Sequence, residues 1–398
     1  MQRSSSFPPL FRSLLLVTGL FFMIVQARFS SAQDKGKEEW KPTGKVWGLA
    51  FGDGYYKLGS DSACTFGDAE FAKVKKEYMA FTFRRIYLGY DYNIAPDFTA
   101  KIVLEGNDGL VTGGGDRTVI IKSMNLEWKG IVKRHSLFIG QSGTPCFNTV
   151  EKTWGYRSVE KTIGDARKIF PSNDMGLKWV GQLDSLGNFS YTLMYGNGKG
   201  TKPEDNRLKR FYLGLDALFM EKKLILSFNT DYEDYVVKPA EEPKSKLGIE
   251  AFTALQLKSF TVGAEFIYQI QKNFKINTDP NSSVKDSMNV IPMGISLFAK
   301  GTLQKDKWYV FGRFDRYNND LNYRKGDNTK RPYGEQFFTF GLDYAPNKNI
   351  HLIPNIWINM YTDLREKPAD YDVAADWAKY YDRSPDIVPR LTFYYLFK

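Results

Sequence analysis

Two histidines and two cysteines in 398 residues leave little reactive chemistry for the chain to use. A Ser-His-Asp arrangement would have to recruit His135 or His351, and each begins a strand-like segment beside a short turn, far from any outer-face site. No His/Cys spacing resembles a metal site, so neither a metal nor another cofactor is expected. Gly113-Gly114-Gly115 is a flexible loop tip rather than a phosphate cradle, because no helix follows it. Catalysis is therefore not expected. A large charge excess is also missing. The formal charge is +10, and the first 32 residues carry three arginines and no acid. Once they are removed the excess is too mild to indicate a nucleic-acid partner. Beyond residue 25 nothing approaches the roughly eighteen consecutive apolar residues a spanning helix needs. The one membrane structure left open is a barrel, since every backbone polar group in lipid must be paired.

What is present begins with an export signal. Arg3 and Arg12 form a basic leader, Leu14 to Val25 is an apolar run of signal-peptide length, and Ser30-Ser31-Ala32 supplies small residues for cleavage. No lipobox cysteine follows. The expected organisation is a signal peptide over 1–32, a polar mobile segment over 33–44 and one β-barrel domain over 45–398.

Aromatic residues make up 16% of a chain whose mean hydropathy is −0.40, a combination that suits strands with one face in lipid and one in water. Sixteen strand-like segments are expected near 45–52, 78–93, 98–107, 118–129, 134–142, 174–184, 188–197, 208–220, 223–235, 246–257, 259–271, 289–302, 307–318, 334–345, 349–361 and 387–397. Linkers alternate between long, such as 53–77 and 362–386, and short, such as Ala95-Pro96-Asp97 and Glu221-Lys222. That alternation predicts an all-β, antiparallel transmembrane barrel of about sixteen strands with short periplasmic turns and long outer loops, integral to the outer membrane and in contact with its lipid. Period two then sorts the faces. Phe260, Val262, Ala264, Phe266, Tyr268 and Ile270 point to lipid while Glu265 and Gln269 point inward. Leu391, Phe393, Tyr395 and Phe397 point to lipid while Arg390, Thr392 and Tyr394 point inward. Trp128, Trp179, Tyr268 and Trp308 read as interface anchors.

A polar lumen implies a water-filled channel. Arg84 or Arg85, Lys101, Lys129 and Lys178 supply inward bases on strands two to six. The parity of strand two is ambiguous, because Phe81 and Phe83 go with Arg85 whereas Ile86, Leu88 and Tyr90 go with Arg84. Asp216, Asp231, Glu250 and Glu265 supply inward acids on strands eight to eleven. A basic wall facing an acidic one would set a field across the pore. Alternatively, these charges pair and keep the lumen wet. Cys64 and Cys146 fall on two outer loops and are candidates for one disulfide.

Ser142 to Asn173 is a long insertion without strand alternation. Val159, Ile163, Ala166 and Ile169/Phe170 recur at helical spacing, which predicts a short amphipathic helix from a Ser158 cap to a stop at Pro171. Ile139-Gly140-Gln141-Ser142-Gly143-Thr144-Pro145, followed by Trp154-Gly155-Tyr156-Arg157-Ser158-Val159-Glu160-Lys161, resembles the strand end and constriction loop of the phosphate-selective-type (O and P) outer-membrane porins of Gram-negative bacteria. Phe311-Gly312-Arg313-Phe314-Asp315 and Gly341-Leu342-Asp343-Tyr344 look like late strands of that family. The resemblance implies a trimeric porin passing small hydrophilic solutes or ions, with anions such as phosphate among them. It also implies that the third loop folds into the pore. Glu151, Arg157, Glu160, Lys161, Asp165, Arg167 and Lys168 would then form the constriction, and Arg85, Lys101, Lys129, Lys178, Asp216, Glu250, Glu265, Arg313 and Asp315 the pore wall. Inward acids are at least as numerous as bases, unlike the family's arginine ladder, so a weak preference of either sign is expected. The alternative reading is a barrel that serves mainly in binding or scaffolding.

Overall fold

The computed structural model describes residues 40–60, 70–237, 242–276, 287–323, 333–363 and 384–398. The expected signal peptide and most of the polar segment after it lie outside these residues, as does Cys64.

Alternating apolar and polar side chains become strands along most of the chain. The first eight are β1 (Thr43–Tyr56), β2 (Met79–Ala95), β3 (Phe98–Val111), β4 (Arg117–Lys129), β5 (His135–Gly143), β6 (Asn173–Gln182), β7 (Phe189–Gly196) and β8 (Arg210–Phe219). Then come β9 (Leu224–Tyr235), β10 (Lys244–Gln256), β11 (Phe260–Ile276), β12 (Ser287–Val290), β13 (Met293–Gln304), β14 (Trp308–Asn318), β15 (Tyr333–Asn347), β16 (Ile350–Asp363) and β17 (Asp386–Phe397). β1 pairs antiparallel with both β2 and β17, which closes the sheet. β12 and β13 both pair with β11 and are interrupted at Pro292, so they form one broken stave of a closed 16-strand barrel. Closure leaves no edge and satisfies the backbone within the wall, as lipid demands.

The side chains are distributed inside out. Phe81, Val119, Ile121, Phe211 and Phe340 stand exposed on the outer face, whereas Arg84, Glu105, Glu250, Arg313 and Arg390 are buried within. Near the short-turn rim Trp128 stacks on Phe98 at 5.4 Å, Trp308 lies tilted against Tyr344 at 4.7 Å, and Trp179 Nε1 donates to the Tyr191 hydroxyl at 3.0 Å. Amphipathic rings with a satisfied polar tip belong at a membrane interface.

Two of the β-bulges that break the strict period of two bring cations into the lumen. One lies in β2, where the register passes from Phe51↔Arg85 to Gly52↔Phe83 and leaves Arg84 as the extra residue. Phe81 and Phe83 therefore face outward together with Ile86, Leu88 and Tyr90, and both Arg84 and Arg85 turn inward. The parity conflict in strand two is thus the mark of the bulge. The second bulge skips Lys122 between Val103↔Ser123 and Leu104↔Ile121, and it likewise turns a cation into the lumen.

Candidate functional site

The third outer loop, between β5 and β6, lies inside the barrel. Its longer helix, α1 (Pro145–Trp154), starts earlier than the sequence predicts. Pro145 suits a first turn because its missing N–H would be unpaired there anyway. Gly155, at φ 75°, ends α1 in the left-handed conformation, its N–H bonded to the Glu151 carbonyl at 2.9 Å. The helix expected from Ser158 to Phe170 is reduced to α2 (Ile163–Ala166). The physical reason is that wall side chains take the carbonyls a helix would need. Arg84 Nη1 donates to the Ser158 and Val159 oxygens, both at 2.8 Å, and Arg390 also donates to Val159. Arg313 donates to the Lys161 carbonyl, and Gln269 Nε2 to that of Ile169 at 3.0 Å.

Apolar contact sets which wall the loop leans on. Val150, Trp154, Tyr156 and Val159 pack against Ile225, Phe252, Phe298, Phe311 and Ile353, inward residues of β9, β10, β13, β14 and β16. Cys146, Phe147, Ile163, Ile169 and Phe170 pack against Ile267 of β11 and Tyr317 of β14. The Trp154 ring lies 5.2 Å from Phe298, and its Nε1 donates to the Glu160 carbonyl at 2.8 Å. Trp154→Ala is expected to cost about 3–5 kcal/mol. Thermal unfolding in detergent measures it, and an unchanged midpoint would show that the loop is not packed against this wall.

This lean overturns the expected acidic wall. Glu250 is fully buried beneath the loop, where Asn229 donates to it at 2.7 Å, and Glu265 accepts the Gly164 N–H at 3.1 Å. Asp216 accepts the Thr149 hydroxyl at 2.8 Å. None of the three lines the open passage, because the loop lies between them and the free lumen. Arg313 is also buried, paired with Asp315 at 2.6 Å and bonded to the loop backbone, so it positions the loop. Lys129 sits at the short-turn rim on the Thr99 hydroxyl, at 2.7 Å. Cys146 is fully buried and bonds to no other sulfur among the described residues.

The open passage runs along the opposite wall. An inner cavity of about 990 Å³ opens toward the short turns. Lys101, Lys122, Lys152, Arg157, Lys178, Lys258 and Lys300 line it, against only Glu151 and Asp343 among the described acids. An outer cavity of about 370 Å³ has a mixed lining of Arg84, Arg85, Lys161, Arg167 and Lys168 with Glu70, Asp108, Glu160 and Asp315. The two meet at a neck of about 10 Å³ formed by Phe51, Glu70, Arg84, Arg85, Arg157 and Lys161. The neck shares Phe51 and Arg157 with the inner cavity and its other four residues with the outer one.

Charge at the neck is partly cancelled. Arg157 bridges Glu151 at 2.7 Å and Asp165 at 2.6 Å. Burial would push the Asp165 carboxyl up, but Arg157 holds it below its ordinary value; burial dominates for Glu151, which is raised. Arg85 pairs with Glu105 at 3.1 Å, and Arg167 with Glu335 at 2.8 Å. Glu160 turns to the wall, where Trp357 Nε1 donates to it at 2.7 Å, and Lys168 stands exposed in the outer cavity. Lys161 forms no ion pair among the described residues. Burial lowers its pKa and Asp165 opposes that.

Sequence reasoning missed Phe51, Glu70, Lys122, Lys152, Lys258 and Lys300. The bulge hid Lys122, although the switch in apolar parity from Val119 and Ile121 to Met124 and Leu126 signals it. Inward apolar residues on β9 to β14, anomalous in a polar lumen, were the readable sign of where the loop lands.

No family model and no curated protein matches the chain. Among solved structures it is similar to the outer membrane channel DcaP of Acinetobacter baumannii, at 14% identity over 92% of this chain and 100% of that one, with a TM-score of 0.65. It is also similar to an anion-selective porin from Comamonas acidovorans, at 11% identity over 90% and 100%, with a TM-score of 0.59. A third is the in-vitro folded OmpT, an outer membrane protein of Vibrio cholerae in a trimer form, at 12% identity over 90% and 100%, with a TM-score of 0.53. At these identities the likeness establishes a fold, and that fold is the closed transmembrane β-barrel of the porins.

Proposed function

We propose that the chain is an outer-membrane porin that passes small hydrophilic solutes by diffusion and favours anions, phosphate among them. The charge along the passage carries this reading: four cations and one acid at the neck, then seven cations and two acids around the inner cavity. Low-dielectric walls focus such a field, and charged linings tune selectivity in pores. Glu70, Glu105, Glu151, Asp165 and Asp91 offset part of it, through Arg84, Arg85 with Lys122, Arg157 and Lys101, while Asp216, Glu250 and Glu265 lie under the third loop. The outward apolar girdle suits lipid, with short turns toward the periplasm and export by residues 1–32. A homotrimer belongs to the same reading, supported by the similar barrel from Vibrio cholerae in a trimer form.

Purified protein in planar bilayers should give stepwise conductance, and under a KCl gradient the zero-current potential should have the sign of chloride preference. A cation-preferring potential would overturn the anion reading. Absence of steps would favour the binding or scaffolding alternative.

A further inference from the structure

Resting on the channel reading, we infer that residues 70–78, which lead into β2, are a second constriction element and that Glu70 is a specificity-determining residue that holds the anion preference in check. Among these residues Glu70, Phe71 and Val74 line the outer cavity within the lumen. Lys57, fully buried, pairs with Asp386 at 2.6 Å and donates to the Phe71 carbonyl at 2.6 Å. The Phe71 ring sits 4.9 Å from Tyr55 and 5.4 Å from Trp357, with the Arg390 guanidinium 5.4 Å from its centroid. These contacts are apolar and cation–π in kind. They fix the backbone beside Glu70 and set its carboxylate at the neck.

Arg84 meets that carboxylate with two nitrogens, Nε at 2.9 Å and Nη2 at 2.5 Å, a bidentate geometry. Its third nitrogen holds the Ser158 and Val159 carbonyls, so one guanidinium joins the first loop to the third. Burial would push the Glu70 carboxyl up, but Arg84 outweighs it and holds the group at about 2. The negative charge is therefore permanent at working pH. It is the one acid among the described neck residues, which also include Lys161, a cation with no ion pair among the described residues.

Glu70→Gln keeps the size of the side chain and an oxygen for Arg84 while removing the charge. The chloride-to-potassium permeability ratio should rise about threefold in dilute salt, as expected for one unit charge a few ångströms from the ion path. The gain should shrink in 1 M salt, where the Debye length is about 3 Å. Glu70→Asp, which keeps the charge, should stay near the native ratio. A ratio unmoved by Glu70→Gln in dilute salt overturns the inference. So does a conductance change that persists equally in 1 M salt, since that would reveal only a packing role. If the native channel proves cation-preferring and Glu70→Gln still shifts it toward anions, the anion reading fails and this inference stands. If the native channel prefers anions and ignores the substitution, this inference fails and the anion reading stands.

Discussion

Lys161→Glu should lower the chloride-to-potassium permeability ratio by on the order of tenfold in 0.1 M salt, the largest effect expected of a single substitution in this chain. Lys161 borders the neck and the outer cavity, and no carboxylate pairs with it among the described residues. The other cations at the neck are offset: Arg84 by Glu70, Arg85 by Glu105, and Arg157 by both Glu151 and Asp165. Two unit charges opposed at about 4 Å in water interact by about 1 kcal/mol, so exchanging a positive for a negative group shifts an ion of either sign by about twice that before screening. The backbone of Lys161 is held by Arg313 through its carbonyl, which the substitution leaves in place. Conductance in 1 M salt should therefore be nearly native while selectivity in dilute salt changes. Arg157→Gln makes the contrast. It removes a cation already paired twice and should shift the ratio less. An unchanged ratio in Lys161→Glu would place the ion path elsewhere.

The wall of the barrel was legible in the sequence because period two and the alternation of linker lengths are local signals. Each expected segment coincides with a stave, and the face assignments of β11 and β17 agree with the observed burial. What was not legible depends on contacts distant in sequence. The third loop stops short of a long second helix because Arg84, Arg313 and Arg390, from three separate strands, claim its carbonyls. Glu250 and Glu265 were placed correctly inward, but whether they meet water depends on which side the loop leans. That is decided by Phe252, Phe298 and Phe311, whose inward parity could have been weighed as a landing site. The first loop looked like a linker, although Phe71, Val74 and Tyr78 gave it the apolar anchors a solvated linker has no use for.

Removing residues 147–170 should raise conductance at least about twofold, since the loop fills the lumen and its Arg157 and Lys161 line the neck, and should at the same time weaken or reverse the anion preference. The barrel tolerates the cut on geometric grounds. Gly143 and Asn173 are paired across β5 and β6, so Thr144, Pro145, Cys146, Pro171 and Ser172 remain as a five-residue hairpin connection, a length hairpins accept. The ladder that closes the wall does not pass through the loop. Two effects act on selectivity in the same direction. The excised stretch carries Lys152, Arg157, Lys161, Arg167 and Lys168 against Glu151, Glu160 and Asp165, a loss of net positive charge. Its departure also uncovers Asp216, Glu250 and Glu265, for which no basic partner stands among the described ion pairs. Arg84, Arg313 and Arg390 are released as well, but each keeps a carboxylate within 4 Å, in Glu70, Asp315 and Asp53 respectively. The lumen thus gains unpaired acid and loses unpaired base. Bilayer recordings of the deletion variant separate the two components: conductance in 1 M salt reports width, and the zero-current potential in dilute salt reports charge. A wider channel with an unshifted potential would mean that neither the excised charges nor the uncovered carboxylates act on the permeating ions. An unchanged conductance would remove the loop from the ion path.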